Sequence, residues 1–287
     1  MLCPIEDELW NTALCKVWPF TLSMDSGRYV IASVFMALIV LLFHRNLLKR
    51  RKIQADRRAQ LKDYLREIVL SLRSVVCFSL VGVGIFVGKT FGIFTLYKGF
   101  AEHSAWYMAA CVVGLLIFQD TYFYWTHRLM HLRRLFRWTH MTHHKSWVPT
   151  PFTAYSFSLF ETAVQAAPVP LWLLVVPTHV EALFVFLALQ IFRNAQGHCG
   201  YEFHSARFGT HWFWRQFTTP THHDLHHSSG RYNFGLWFRW WDLAMGTEHP
   251  QYMEKFLALT AEPQAQNAGE QVAEPAVWQN ASMQSGR

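Results

Sequence analysis

Charged residues are scarce in this 287-residue sequence: they make up 16% of it, whereas hydrophobic residues make up 52%. An ordinary soluble domain carries about 25% charged residues, so the composition favours a membrane protein. The net charge of +7 does not indicate a nucleic-acid surface, because Lys and Arg gather at 45–73 and 128–137, each beside an apolar run. That distribution is typical of charges that flank membrane spans. We therefore expect no nucleic-acid partner.

Thiol and phosphate-binding motifs are also missing. The five cysteines form no CxxC pair, and Cys77 and Cys111 lie within apolar runs. This argues against a thiolate metal site and a disulfide framework, although Cys3 and Cys15 could pair. The glycines at 82–92 lack the spacing of a phosphate loop and instead favour close helix packing in a membrane. No serine-nucleophile motif is present.

Three long apolar runs predict membrane-spanning helices at 29–43, 75–96 and 105–125. Because Lys and Arg are dense at 45–66, we expect this loop to be cytoplasmic, which places the N-terminus and the 97–104 loop on the opposite side. The acidic N-terminus argues against a cleaved signal peptide, so we expect the chain to stay anchored.

Residues 152–176 and 180–193 are apolar but interrupted by prolines, which predicts a re-entrant or two-helix hairpin that returns to the cytoplasmic side. We therefore predict an all-α polytopic membrane protein with about three spans, this hairpin and a cytosolic histidine-rich helical cap. After Thr260 the composition cannot bury a core and predicts disorder. The predicted parts are a membrane region with two spans (1–104), a domain that carries the histidine groups (105–260) and a disordered tail (261–287).

Ten of the 16 histidines fall into spaced groups that follow the predicted spans. They are His127 and His131 (HxxxH), His140, His143 and His144 (HxxHH), His198, and His222, His223, His226 and His227 (HHxxHH). Two histidines four residues apart on a helix share one face and can reach a single metal, whereas the middle residue of HxxHH is offset. So many imidazoles exceed the four ligands of a structural zinc site and suit two neighbouring metals, each with an open position. Imidazole alone leaves zinc, copper, iron and nickel open.

Carboxylates near these groups are candidates for orienting the ligands, because a carboxylate can accept a hydrogen bond from the distal ring nitrogen. They are Asp120, Glu202, Asp224 and Asp242. The isolated histidines are expected to be packing or interfacial residues; they are His44, His103, His179, His211 and His249. His204 and His222 remain open as ligands.

Several motifs together resemble the fatty acid hydroxylase/sterol desaturase superfamily of membrane-bound, histidine-rich, non-haem di-iron oxygenases. They are DTYFYWTHRLMH, HMTHH, PTPFTAYSF, NAQGHCGYEF and HHDLHH followed by RYNFGLWFRWWDLAMGT, and they cover about 105–250. The resemblance implies metal ligands at His127, His131, His140, His143, His144, His198, His223, His226 and His227. Some members carry a second HxxxH in the third group, where this chain has Glu202. Whether Glu202, His204 or His222 completes the site therefore stays open.

The resemblance implies an oxidoreductase that hydroxylates or desaturates a lipid with O₂ and two iron ions, and zinc is expected to be able to replace iron in purified protein. An unactivated C–H bond offers no acidic proton and no leaving group, so a redox metal with O₂ is the expected reagent. A sterol-like lipid is preferred over a fatty acyl chain or a sphingolipid. With no HPGG-type cytochrome b5 motif, we expect an external donor, either cytochrome b5-like or a ferredoxin with its reductase. The expected location is the bacterial inner membrane or the endoplasmic reticulum, with the site on the cytoplasmic side.

Two other protein classes also use clustered histidines. A polytopic zinc transporter or other metal-binding membrane protein would also use histidines, but transport ligands usually lie near the middle of the membrane. A bis-histidine haem carrier needs histidine pairs across two spans, which the adjacent doublets His143–His144 and His226–His227 fit poorly.

Overall fold

The computed structural model describes residues 7–44, 49–99 and 103–261. Its helices are α1 (Glu8–Thr12), α2 (Trp18–His44), α3 (Leu61–Thr90), α4 (Ala105–Met130), α5 (Arg133–Thr139), α6 (Met141–His144), α7 (Leu159–Ala166), α8 (Pro168–Leu173), α9 (Val180–Gly197), α10 (Ala206–Thr210), α11 (Pro220–Ser229), α12 (Trp240–Ala244) and α13 (Tyr252–Thr260). A π-helical turn, Ala13–Val17, joins α1 to α2. Short 3₁₀ turns lie at Lys49–Arg51, Pro151–Tyr155 and Trp214–Gln216, and the two strands are β1 (Leu96–Tyr97) and β2 (Thr178–His179).

Three segments are long and apolar enough to cross a membrane: Glu8–Leu42, Leu61–Thr90 and Ala105–Met130. Their outer faces carry large apolar side chains, of which Ile31 is 61% and Leu42 is 72% exposed. Faces of this kind are stable against lipid tails and unfavourable in water. The described residues therefore confirm the predicted all-α membrane fold with three candidate spans.

The spanning helices are longer than the apolar runs that predicted them. Helix α3 begins at Leu61 rather than at residue 75, and α4 continues to Met130. Polar residues in these extensions are buried because other parts of the chain satisfy them. The Thr150 hydroxyl, for example, donates a 2.6 Å hydrogen bond to the Glu67 carboxylate in α3. Hydropathy cannot detect such partners, so the predicted runs differ from the helices at their ends; the 75–96 run also extends past α3, which ends at Thr90.

The predicted hairpin consists of three helices, α7, α8 and α9. Pro168 begins α8, a position where its missing N–H is not needed. Strand β1 pairs in parallel with β2, with Leu96 opposite Thr178, and the Tyr107 hydroxyl near the start of α4 donates to the Pro177 carbonyl at 2.6 Å. The paired strands β1 and β2 therefore lie near the start of α4, at the opposite end from His127.

A compact core joins the spans to the histidine-bearing segments. It packs α2, α3 and α9 against the Pro151–Tyr155 turn through Tyr29, Ala32, Met36, Val75, Ala154, Ile191, Ala195, Cys199 and Tyr201. The Tyr29 hydroxyl donates to the Phe152 carbonyl at 3.0 Å, which fixes this turn against α2. The predicted tail, apart from Ala261, and Cys3 lie outside the described residues.

Candidate metal centre

Nine buried or half-buried histidines meet in two groups. The five-histidine group contains His127, His131, His140, His144 and His226, and the four-histidine group contains His143, His198, His223 and His227. Within each group, one ring nitrogen of every residue lies within 4.8 Å of those of the others. The structure thus brings together all nine ligands implied by the resemblance. His222, the tenth candidate, belongs to neither group.

Helical spacing explains how the chain distributes these residues. His140 and His144 lie four residues apart and enter the five-histidine group, whereas His143 between them points into the other. On α11, the same offset sends His226 to the five-histidine group and its neighbour His227 to the four-histidine group. Histidines adjacent in sequence therefore belong to different groups, so the two groups lie side by side. The rings of His144 and His227, one from each group, are 4.9 Å apart.

The hydrogen bonds of His127 leave one ring nitrogen available to a cation. Nδ1 of His127 donates to the Phe234 carbonyl at 2.9 Å. A neutral imidazole carries only one N–H, so Nε2 of His127 presents a lone pair. That lone pair lies 2.9 Å from Nε2 of His140, whose Nδ1 lies 2.6 Å from an oxygen of the Glu161 carboxyl. Burial raises the pKa of this carboxyl well above its usual value, and a cation bound between the two Nε2 atoms would favour the ionised form, which accepts from Nδ1 of His140.

The spacing of the nitrogens also suits metal coordination. Metal–nitrogen bonds of about 2.1 Å at a right angle place two ligand nitrogens about 3.0 Å apart. The Nε2 atoms of His144 and His226 are 3.0 Å apart, and those of His198 and His223 are 2.9 Å apart. The distal Nδ1 atoms of His226 and His198 donate at 2.7 Å to the carbonyls of Tyr232 and Asn194. Both groups thus have ligand nitrogens aimed inward by acceptors on the outside.

Burial keeps the imidazoles in the state that a metal requires. Outside the spans, loss of hydration lowers the pKa of His131, His140, His143, His144, His223 and His227 below the ordinary histidine value, and lowers the pKa of His198 and His226 to about 4. Neutral rings offer lone pairs at physiological pH. The site fits a metal without prior deprotonation.

None of the four carboxylates chosen from the sequence lies in either histidine group. Asp120 accepts from the backbone N–H of Trp237 at 2.7 Å, and Asp242 accepts from that of Phe234 at 2.9 Å. Both therefore hold the 234–238 loop, whose Phe234 carbonyl receives His127. Asp224 on α11 accepts from the Gln54 amide at 3.0 Å.

Glu202 stabilises the start of α11. Its Oε2 accepts from the Thr221 N–H at 3.1 Å and from the Thr221 hydroxyl at 2.6 Å. Thr221 is in the first turn of α11, where the helix dipole stabilises a negative charge. Its other oxygen accepts from Nδ1 of His204 at 2.7 Å. His222 packs its ring 5.1 Å from that of Tyr252, and its Nε2 lies 3.6 Å from an Asp242 oxygen.

Glu161 is a buried carboxylate at the histidine groups that the sequence did not point out as a candidate. It lies on α7 and is fully buried. Among the carboxylates of the described residues, Glu161 is the one within hydrogen-bond distance of a ring nitrogen in the two groups. A carboxylate that accepts from the distal nitrogen of a metal-binding histidine fixes the ring and raises its basicity. The available signal was a single acidic residue within the apolar 152–176 run, since intramembrane carboxylates are costly and usually functional.

An apolar cavity of about 380 Å³ lies beside the histidines. Phe123 and Phe157 line it, and their rings are 4.7 Å from that of His127 and 5.3 Å from that of His143, respectively. One wall of the cavity is therefore in contact with both histidine groups. Its size is within the range of small-molecule sites.

Comparison with known proteins gives matches over this same region. The family model described as fatty acid hydroxylase matches residues 112–247. The Delta(7)-sterol 5(6)-desaturase ERG3B of Gibberella zeae is 28% identical over 69% of this chain and 59% of its own length. The lathosterol oxidase of Rattus norvegicus is 30% identical over 66% of this chain and 62% of its own length. The chain thus spans about three fifths of the length of these curated relatives, and no solved structure matches it.

Proposed function

The chain belongs to the fatty acid hydroxylase/sterol desaturase superfamily, and from this premise we propose that it is a membrane-bound di-iron oxygenase that hydroxylates or desaturates a lipid. The observation that carries the proposal is the pair of adjacent histidine groups beside an apolar cavity, whose lining residues Phe123 and Phe157 contact one histidine of each group. A zinc transporter is less well supported, because the groups lie at the C-terminal end of α4, where His127 is in the last turn, and beyond it rather than at mid-span.

The proposed irons are held one by each histidine group. Neutral imidazole suits iron as well as zinc, and the reaction requires the redox-active metal. Bound iron would supply the O₂ chemistry and electron transfer that protein side chains cannot perform. The electrons come from an external donor, which we propose to be a cytochrome b5-like protein or a ferredoxin with its reductase.

The protein's own residues fix the ligands and shield the site. Glu161 and the carbonyls of Phe234, Tyr232 and Asn194 hold the Nδ1 protons, so that the opposite nitrogens point inward. Phe123 and the other apolar residues of the cavity wall exclude water and bring a hydrocarbon segment against the histidines. Without that exclusion, reactive oxygen species would escape or attack other groups.

The proposed substrate is a membrane lipid, because the cavity is apolar and is enclosed by helices that can span a membrane. Sterol-like lipids are preferred over fatty acyl chains and sphingolipids. The relatives named as a sterol desaturase and a lathosterol oxidase support this preference.

Comparative lipidomics tests the proposed function. Cells that express the chain are expected to accumulate a lipid that differs from its precursor by one oxygen or by two hydrogens. Cells that express the His143→Ala variant provide the control, since the variant removes one proposed ligand and leaves the spans unchanged. The purified chain is expected to hold about two irons. Identical lipid profiles in the two cell lines would contradict the proposal.

Cysteine labelling tests the proposed cytoplasmic location of the site. Ala55 and Ala261 are exposed near the histidine end, and Lys98 is exposed at the opposite end of α4. Cysteines at 55 and 261 are expected to react from the cytoplasmic side, and a cysteine at 98 only from the other side. The unsubstituted chain measures the background from native thiols. Labelling of 55 and 261 from opposite sides would refute the topology.

A further inference from the structure

A half-buried ion pair lies on the wall of the apolar cavity. Asp25 and Arg28 of α2 form a salt bridge, and their side chains are 16% and 17% exposed, respectively. Both line the cavity, and both lie within the candidate span Glu8–Leu42. Ionisable residues inside a membrane are costly, and such residues usually serve a substrate or ion. They lie outside residues 112–247, the region matched by the family model.

Arg28 has hydrogen-bonding capacity that the described protein does not use. Its Nη2 donates to Asp25, whereas its Nη1 is buried and has no partner among the described residues. The guanidinium carbon lies 5.8 Å from the centre of the Phe184 ring, which covers one side of it. An unpaired buried donor is unfavourable unless a ligand satisfies it. Nη1 itself has no accessible surface, but the Arg28 side chain lines the cavity, so a small movement of the guanidinium brings Nη1 to a ligand there.

The charges on the cavity wall decide what kind of ligand fits. Asp25 already neutralises Arg28, and Lys89, the other charged residue of the lining, is exposed. An anion at Arg28 would therefore meet no net positive charge and would be repelled by Asp25. An uncharged hydroxyl or carbonyl oxygen can accept from Nη1 without this penalty.

The cavity extends from the pair in two directions. Phe20 is 55% exposed and its ring meets that of Phe184 edge to face at 6.5 Å, which forms a rim toward the membrane. At the other end, Phe157 contacts His143. Along α9, the helical rise places Phe184 about 21 Å from His198. A lipid whose oxygen lies at Arg28 would therefore extend its apolar body toward the histidines.

We propose that the Asp25–Arg28 pair binds the uncharged oxygen of the lipid substrate and thereby orients the lipid in the cavity. This rests on the proposed lipid oxidation for the identity of the ligand, but it concerns binding alone. The pair is a positioning element, and no step of the reaction passes through it.

Binding of three matched steroids tests the proposal. The full chain in phosphatidylcholine nanodiscs is titrated with cholesterol, with cholest-5-ene, which differs from it only by lacking the hydroxyl, and with cholesterol sulfate, which carries a negative charge. We expect cholesterol to bind about tenfold more tightly than cholest-5-ene, the value of one hydrogen bond to a charged group, and cholesterol sulfate to bind no better than cholest-5-ene. The series octadecanol, octadecane and stearate repeats the comparison on a different skeleton.

Two variants make the test specific to the pair. Asp25→Asn leaves Arg28 uncompensated, so cholesterol sulfate is expected to become the tightest ligand. The double variant Asp25→Asn with Arg28→Met removes both charges, and its preference for cholesterol over cholest-5-ene is expected to disappear. Unchanged iron content and gel-filtration profile show that each variant is folded.

Absence of a hydroxyl preference in both wild-type series, or a preference for the anions, would overturn the inference. So would a hydroxyl preference that survives in the double variant. If the preference depends on the pair but no lipid is oxidised in cells, the proposed function fails and this binding site stands. If lipid is oxidised without any such preference, only the inference fails.

Discussion

Alanine at His143 or His227 is expected to abolish lipid oxidation while the protein still inserts into the membrane. Both residues belong to the four-histidine group, in which each is one of only four proposed ligands. Residues that merely orient a ligand typically change affinity or activity by about 10–100-fold, so the loss of a direct ligand should exceed about 100-fold. Neither residue lies in the three candidate spans, so insertion does not depend on them. Product formation per inserted chain is the measurement.

Iron content gives this experiment a second readout. Because His143 and His227 serve one group, their loss should remove about one of two irons per chain, and the five-histidine group should keep the other. His211→Ala is the matched control, since His211 lies outside both groups and is expected to affect neither iron nor rate. Wild-type turnover in His143→Ala or His227→Ala would disprove the di-iron assignment.

Much of the histidine arrangement follows from local spacing. The four-residue separations of His140–His144 and His223–His227 place each pair on one helical face. This follows from helix geometry, so the spacing in the sequence is enough to predict it. The partners from distant parts of the chain do not follow in this way. His198 reaches His143 and His223 only because the core packs α9 against the Pro151–Tyr155 turn.

The carboxylates show where reasoning from sequence proximity fails. Glu202 is a candidate in the sequence because it stands four residues after His198. In the structure, α9 ends at Gly197, so the two residues do not share a helical face. Glu161 is 21 positions from His140 and contacts it only through the packing of α7 against α5. The ends of the spans differ for the same reason, since tertiary partners such as Thr150 allow Glu67 to be buried.

Glu161 is expected to affect the metal centre more than Glu202 does. Glu161→Gln keeps an oxygen that can accept from Nδ1 of His140 but removes the negative charge, so both irons should remain while the rate falls about 10–100-fold. Glu161→Leu removes the acceptor as well and leaves a buried N–H unsatisfied, so iron in the five-histidine group should also be lost. Iron per chain and product formation distinguish the two variants.

Glu202→Gln tests which of the two carboxylates orients a proposed metal ligand. Glu202 contacts Thr221 and His204 but neither histidine group, so both irons and most of the rate should persist. Its cost should appear instead as about 1 kcal/mol of stability, because a charged acceptor at the start of α11 is lost. Loss of iron in Glu202→Gln with full occupancy in both Glu161 variants would reverse the assignment. The metal-orienting carboxylate would then be Glu202, and the hydrogen bond from His140 to Glu161 would serve packing alone.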